Sequence, residues 1–404
     1  MYIKRTIEVA IKRMSSSFPV VLITGPRQVG KTTVLQNMAQ ERNYVSLDDL
    51  DNRRFALENP TLFFERFPPP LLIDEIQYAP DLFSAIKVIV DREKKPGMFW
   101  ITGSQKFHLM KNVSESLAGR VGVLDLEGLS LPEINKTPLI DQFVPTKEWI
   151  EQRAQDAPFH NLQELYEIIW RGSFPGLYSS NQDWEDFYSS YIRTYIERDI
   201  HDLHKTGDEI QFMALLTALA TRSGQLLNYS DLARNLGKSM PTIKRWISVL
   251  ETTGLIFLLY PFSQNLSNRM TKLPKIYFMD TGIICYLSGW LTPETLERGG
   301  RSGEILETFV IAEIIKTYLH NGRRPRVSFY RDKDQREIDL IIEANGKVYP
   351  IEIKKKNNPI SSDIRHFSVL EDNKLDVGEG AVICCANSHR PLTERVNIIP
   401  VSYI

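Results

Sequence analysis

A chain of 404 residues outgrows one small core and is expected to divide into roughly two to three domains. Its 42% apolar and 25% charged residues are those of an ordinary globular protein, which excludes extended disorder and fibrous repeats. A formal net charge of -1 gives no overall pull on nucleic acid, so any such binding must come from local clusters of Lys and Arg.

Residues 3–14 place Ile7, Ala10, Ile11 and Met14 at helical spacing, and the apolar run from Pro19 reads as a buried strand entering a glycine loop. Short apolar strands follow at Val45-Ser-Leu, Leu71-Leu-Ile-Asp and Phe99-Trp-Ile-Thr-Gly, separated by helical segments, which predicts a parallel sheet. From residue 131 to about 206 the strand pattern gives way to amphipathic helices, read as a helical lid or connector. Residues 210–262 read as helix, short helix, turn, longer helix and apolar strand. After a Gly/Arg-rich linker at 298–303, a helix over 304–319 leads into three strands. The cysteines Cys285, Cys384 and Cys385 have neither C-x-x-C nor Cys/His ligand spacing, so neither zinc nor a disulfide framework is expected. The apolar stretch 18–25 is far short of the ~20 residues that span a bilayer and has no signal-cleavage pattern. A cytoplasmic chain with no membrane partner is expected.

Gly25, Pro26, Arg27, Gln28, Val29, Gly30, Lys31 and Thr32, followed by Thr33, fit G-x-x-x-x-G-K-[ST] between a predicted strand and a predicted helix. Glycines let such a loop close around phosphate, and amide groups at the helix start add donors and a positive dipole end. Lys31 supplies a point charge and Thr32 a hydroxyl for magnesium. Leu71-Leu-Ile-Asp-Glu ends an apolar strand in two acids, a costly arrangement for folding alone. Asp74 is expected to hold the magnesium shell and Glu75 to polarise the attacking water, because phosphoryl transfer is mostly positioning and charge stabilisation. Ser104, after the strand at 99–102, is a candidate sensor of the terminal phosphate. Arg120 is read as a phosphate sensor in its own subunit, a finger toward a neighbouring one, or a plain surface ion pair.

The combination GPRQVGKTT, LLIDEIQYAPDLFSAIK, WITGSQKF and SLAGRV resembles the AAA-related P-loop ATPases of bacteria and archaea, which bear a C-terminal domain of unknown function. The resemblance extends through Tyr195-Ile-Glu-Arg-Asp to the last hundred residues and so covers nearly the whole chain. It implies ATP binding and hydrolysis. It also marks Arg198-Asp199 as a signature of the connector, the alternative being an interdomain ion pair.

Ser230-Asp-Leu-Ala-Arg-Asn-Leu-Gly and the following helix have helix-turn-helix grammar, with Ser230 as N-cap and a second helix opened by Ser239 and Pro241. Ile243, Ile247 and Leu250 are expected inside, leaving Thr242, Lys244, Arg245 and Ser248 outward to meet DNA, with 255–260 as the strand of a wing. Protein docking is the alternative for this unit.

Asn345-Gly346 between two apolar-rich strands predicts a type I′ hairpin. Pairing Ala344 with Lys347 then sets Asp339 across from Glu352 and Glu337 across from Lys354, with Asp339, Glu352 and Lys354 on one face. Opposed carboxylates need a cation or a raised pKa. With Glu304 or Glu307 from the preceding helix, the pattern resembles the D…E-x-K core of restriction-endonuclease-like folds. Ile338 stands where the family motif has Pro. That resemblance implies a second Mg2+ or Mn2+ at Asp339, Glu352 and Glu307, with Lys354 as a catalytic cation. Arg323, Arg324, Arg326, Arg331, Lys333, Lys355 and Lys356 add positive charge suited to a nucleic-acid backbone. The alternative is an inactive fold with a Glu337–Lys354 ion pair.

The expected architecture is α/β: a P-loop parallel sheet over 1–130, a helical lid over 131–206, a winged-helix region over 207–297, and a restriction-endonuclease-like α/β domain over 298–404. The expected function is an ATPase that engages DNA through a winged helix and a metal-dependent nuclease-like domain. The alternative is a nucleotide-gated switch that binds DNA or a protein without cutting. A homo-oligomer, as in AAA rings, is left open.

Overall fold

A computed structural model of the protein describes residues 2–39, 41–103, 109–110, 113, 115–137, 141–180, 182–195, 209–263, 272–372 and 375–404. Five parallel strands, β1 (Val20–Thr24), β2 (Asn43–Ser46), β3 (Leu71–Asp74), β4 (Phe99–Thr102) and β5 (Val121–Asp125), form a sheet in the order β2-β3-β4-β1-β5. Strands covered on both faces read as unbroken apolar runs, and β1, β3 and β4 are buried at every residue. Alternate side chains of β1 serve two cores. Val20 and Leu22 pack with the helices Leu50–Glu58, Pro60–Arg66 and Leu82–Glu93, while Val21 and Ile23 face α1 (Ile7–Ser15) and everything that follows. Edge strand β5, unforeseen from the sequence, is only alternately buried and carries Gly122, so it lacks that apolar signature.

After β5 the chain runs through helices Lys147–Asp156, Leu162–Arg171 and Trp184–Tyr195. Next come helices Glu209–Ala220, Tyr229–Leu236 and Met240–Thr252, followed by the antiparallel pair β6 (Ile256–Leu259) and β7 (Lys275–Phe278). The cap of the middle helix is Asn228, whose side chain accepts from Asp231 N; Ser230 lies inside the helix and donates to the Asn228 side chain instead. Ser239 caps the third helix by accepting from Thr242 N, with Pro241 in the first turn.

Helix Ser302–Leu319 opens the C-terminal unit and packs on a six-stranded mixed sheet. β8 (Val327–Arg331), β9 (Glu337–Ala344) and β10 (Lys347–Lys354) are the three expected strands, and β11 (Gly380–Cys384), β12 (Arg390–Pro391) and β13 (Val396–Pro400) extend them in the order β12-β13-β11-β10-β9-β8. The β9–β10 turn has positive φ at both Asn345 and Gly346, as a type I′ turn requires. Its pairing follows the predicted register from Ala344↔Lys347 to Leu340↔Ile351. One apolar cluster links α1, the five-stranded sheet, the helical units and the C-terminal sheet as far as Ile404. No helix among the described residues is long and apolar enough to cross a membrane.

Candidate active site

The loop between β1 and α2 (Lys31–Met38) depends on glycine at two points. Gly25 has φ +140°, and a Cβ there would overlap the Leu126 carbonyl; Gly30 has φ +91° and caps α2. Gln28 is also left-handed, with φ 61°. The first turn of α2 holds no acidic residue of its own. The Lys31 ammonium, 6% exposed, donates to the carbonyls of Gly25 at 3.0 Å and Pro26 at 2.7 Å. A cavity of about 770 Å³ opens over this loop. Arg27, Gln28, Gly30, Lys31, Thr32, Thr33 and Glu75 line one side, and Tyr2, Ile3, Arg5, Pro175, Gly176 and Ser179 line others. Its size falls within the range of small-molecule sites.

The sheet order places β4 between β1 and β3, and a polar chain links the first turn of α2 to the ends of β3 and β4. Thr32 Oγ1 donates to Asp74 Oδ1 at 2.7 Å, Thr102 Oγ1 donates to the same oxygen, and Glu75 N donates to Thr102 Oγ1 at 3.1 Å. Gln77 Nε2 donates to Glu75 Oε2. Glu75 itself has φ 56°, a costly conformation for a non-glycine residue. Thr102 and Gln77 were not singled out from the sequence, although both end or follow an apolar strand beside a named acid.

Ser104 and the Arg198-Asp199 pair lie outside the described residues. Arg120 immediately precedes β5, and its carbonyl accepts from Val20 N at the start of β1, so it stands at the edge of the sheet opposite the phosphate loop. That position removes the reading of Arg120 as a phosphate sensor in its own subunit. Its guanidinium forms a forked pair with Asp91, at 2.5 and 2.9 Å.

In helix Met240–Thr252, Ile243, Trp246, Ile247 and Leu250 are buried, Lys244, Arg245 and Ser248 are exposed, and Thr242 is half-buried. Lys244 Nζ stands 5.5 Å from the centroid of the Tyr229 ring. The turn that ends this helix reaches the phosphate loop. Gly254, with φ +79°, approaches so closely that a Cβ would sit 3.1 Å from Pro26 and 2.8 Å from Glu127 Oε1.

The C-terminal carboxylates occupy the helix–sheet interface. Past Leu340 the ladder changes character: Asp339 Oδ2 accepts from Ile353 N at 2.9 Å. Lys354 Nζ pairs with Glu352 at 2.5 Å and lies 3.7 Å from Asp339. Glu307, the expected third metal ligand, lies within electrostatic reach of Asp339 and Glu352, but its Oε1 is taken up by β7. It accepts from Tyr277 Oη at 2.6 Å and faces Lys275 Nζ at 3.5 Å, and Lys275 also pairs with Glu337 at 2.5 Å. The Glu337–Lys354 pair of the alternative reading is replaced by Glu337–Lys275, because β7 inserts its lysine beside β9. Among the described residues, no three His, Cys, Asp or Glu side chains are grouped to hold a metal. Burial, then the neighbouring charge of Asp339, pushes Glu307 up to about 7 and Glu352 up to about 8. Burial opposes the charge on Lys354, but Asp339 and Glu352 outweigh it and raise its pKa. Lys355 pairs with Glu297 and Lys356 with Asp363, so these two cations are spent within the fold.

Residues 17–135 match the AAA domain family, and the core is an AAA-type P-loop ATPase fold. Residues 162–294 match a domain of unknown function, DUF8612, and residues 302–404 match another, DUF4143. The chain is 30% identical over 407 residues to Uncharacterized protein Rv2008c of Mycobacterium tuberculosis, covering 99% of this chain and 84% of that one, and it belongs to the same family. Mb2031c of Mycobacterium bovis matches to the same extent. Among solved structures, the Walker-type ATPase PABY2304 of Pyrococcus abyssi is similar over 70% of this chain and 94% of its own, at 14% identity and a TM-score of 0.42.

Proposed function

We propose that this protein binds and hydrolyses ATP and uses its nucleotide state to control engagement of DNA by the 207–297 region, read as a winged helix. The observation that carries the ATPase reading is the hydrogen-bonded chain Thr32–Asp74–Thr102–Glu75, which fixes two acids beside the phosphate loop. Thr32 and Asp74 offer adjacent oxygens that fit a magnesium ion, which when bound supplies positive charge to the phosphate oxygens. Lys31 would leave the loop carbonyls for the terminal phosphates. Glu75, steadied by Gln77, would orient the attacking water and accept its proton. Lys31→Ala tests this: binding of a fluorescent ATP analogue is expected to vanish, and wild-type turnover in that variant would remove the assignment.

For the C-terminal unit, a nuclease-like reading rests on Asp339, Glu352 and Lys354 sharing one face. The lysine-balanced arrangement favours the second reading, a nucleotide-gated switch that binds DNA or a protein without cutting it. Because the carboxylates present do not form a three-ligand set, no metal step is derived for this site. Incubating plasmid with the protein in magnesium or manganese separates the readings. Cleavage lost in Asp339→Ala and Lys354→Ala supports the nuclease, and absence of cleavage supports the switch.

A further inference from the structure

Arg5 precedes α1, is 2% exposed, and lines the nucleotide cavity beside Gly30 and Lys31. Its guanidinium donates to two separate segments and an acid. Nη1 donates to Val29 O at 2.8 Å, inside the phosphate loop. Nη2 donates to Glu127 O at 2.8 Å and Gly128 O at 3.0 Å, and Nε donates to Glu133 Oε2 at 2.9 Å.

The 127–133 segment that Arg5 grips is itself fixed to the C-terminal unit. Lys316 Nζ donates to Leu129 O at 2.9 Å, Glu313 accepts from Leu131 N at 2.6 Å, and His320 Nδ1 faces Glu133 at 3.4 Å. Glu133 also accepts from Thr6 N at 2.7 Å and Ser130 N at 2.9 Å. Burial alone would raise the Glu133 pKa, yet Arg5 and His320 hold it far below the usual carboxylate range. Burial lowers the pKa of His320 despite Glu133, and Arg5 is the larger of the two charges acting on Glu133.

Resting on the ATP reading above, we propose that Arg5 is a positioning residue of the phosphate loop, tying it to a base anchored on helix Ser302–Leu319. A peptide unit is planar, so fixing the Val29 carbonyl also fixes the direction of Gly30 N–H, a donor at the start of α2. A planar fork with donors in set directions serves all four of these acceptors at once, whereas an ammonium group has only three donors on one atom. If Arg5 only neutralised Glu133, the pair would be replaceable by uncharged groups of similar volume with no effect on nucleotide.

That contrast defines the experiment. Arg5→Lys keeps a charge beside Glu133, and the double variant Arg5→Met with Glu133→Gln removes both charges together. Each is measured for thermal unfolding, for affinity toward a fluorescent ATP analogue with magnesium, and for kcat and KM of phosphate release. Both variants are expected to unfold at a lower temperature, since buried carbonyls lose their donor, yet to stay folded at the assay temperature and bind the analogue at least about tenfold more weakly. Wild-type affinity and kcat/KM in the double variant would overturn the proposal, as would wild-type affinity in Arg5→Lys. If the unaltered protein binds no analogue, and Lys31→Ala matches it, the ATP reading itself falls and the proposal with it.

Discussion

Two regions of this chain bury acids against strands, and they satisfy them by different means. At the phosphate loop, Asp74 is met by three hydroxyls, from Thr32, Thr102 and Tyr44. At the C-terminal sheet, Glu307, Glu337, Asp339 and Glu352 are met by two ammonium groups, Lys275 and Lys354. A hydroxyl donor fills a lone pair without adding charge, so the acid still attracts a cation. A lysine does both, and the demand for a metal falls. Two acids on one face therefore announce a metal site only when their neighbours are neutral.

The largest effect that sharpens this contrast is at Glu75. Glu75→Gln is expected to lower turnover roughly a hundredfold or more while leaving ATP analogue binding intact, measured as phosphate release against fluorescence titration. An unchanged rate would make Glu75 a structural acid like those of the C-terminal site. Next in size is Lys275→Met, which strips Glu307 of its paired cation, leaves Glu337 only Arg331 at 3.6 Å, and should cost about 3 kcal/mol in chemical denaturation at pH 8. The cost should shrink at pH 6. Glu307 and Glu352 are raised from 4.5 to about 7 and about 8, so the stability they contribute is complete below their ordinary value and lost as pH rises through 7 to 8. A Lys275→Met penalty independent of pH would show that these acids are not charge-coupled.

The smallest effect links the two halves. Gly254→Ala forces a side chain toward Pro26 at a positive φ and is expected to cost about 1 to 2 kcal/mol and to weaken ATP binding several-fold. Gly237→Ala, with φ +63° and open space around it, carries the strain alone and should leave ATP binding unchanged. Equal affinities in the two variants would mean that the turn after the third helix does not bear on the loop.

Much of this was readable from the residues in order. The phosphate loop, the acids ending β3 and the β9–β10 register follow from local spacing, since turn geometry and apolar runs act within a few residues. What stayed hidden depends on distant partners. Lys275 is an ordinary strand residue until β9 and helix Ser302–Leu319 pack beside it, and Arg5 is one cation among many until the chain returns at 127–133. Strand β5 lacks an unbroken apolar run. The cap at Asn228 was displaced to Ser230 because both types cap well and only the helix start decides between them.

Among the described residues, one apolar cluster runs from α1 to Ile404 across the boundaries expected near residues 130 and 298. Pieces cut near residue 130 or residue 298 would each expose a broad apolar face, so they should precipitate when made separately and stay in solution when made together. Heating the whole chain should accordingly melt the nucleotide sheet and the C-terminal sheet at one temperature, in a single calorimetric peak.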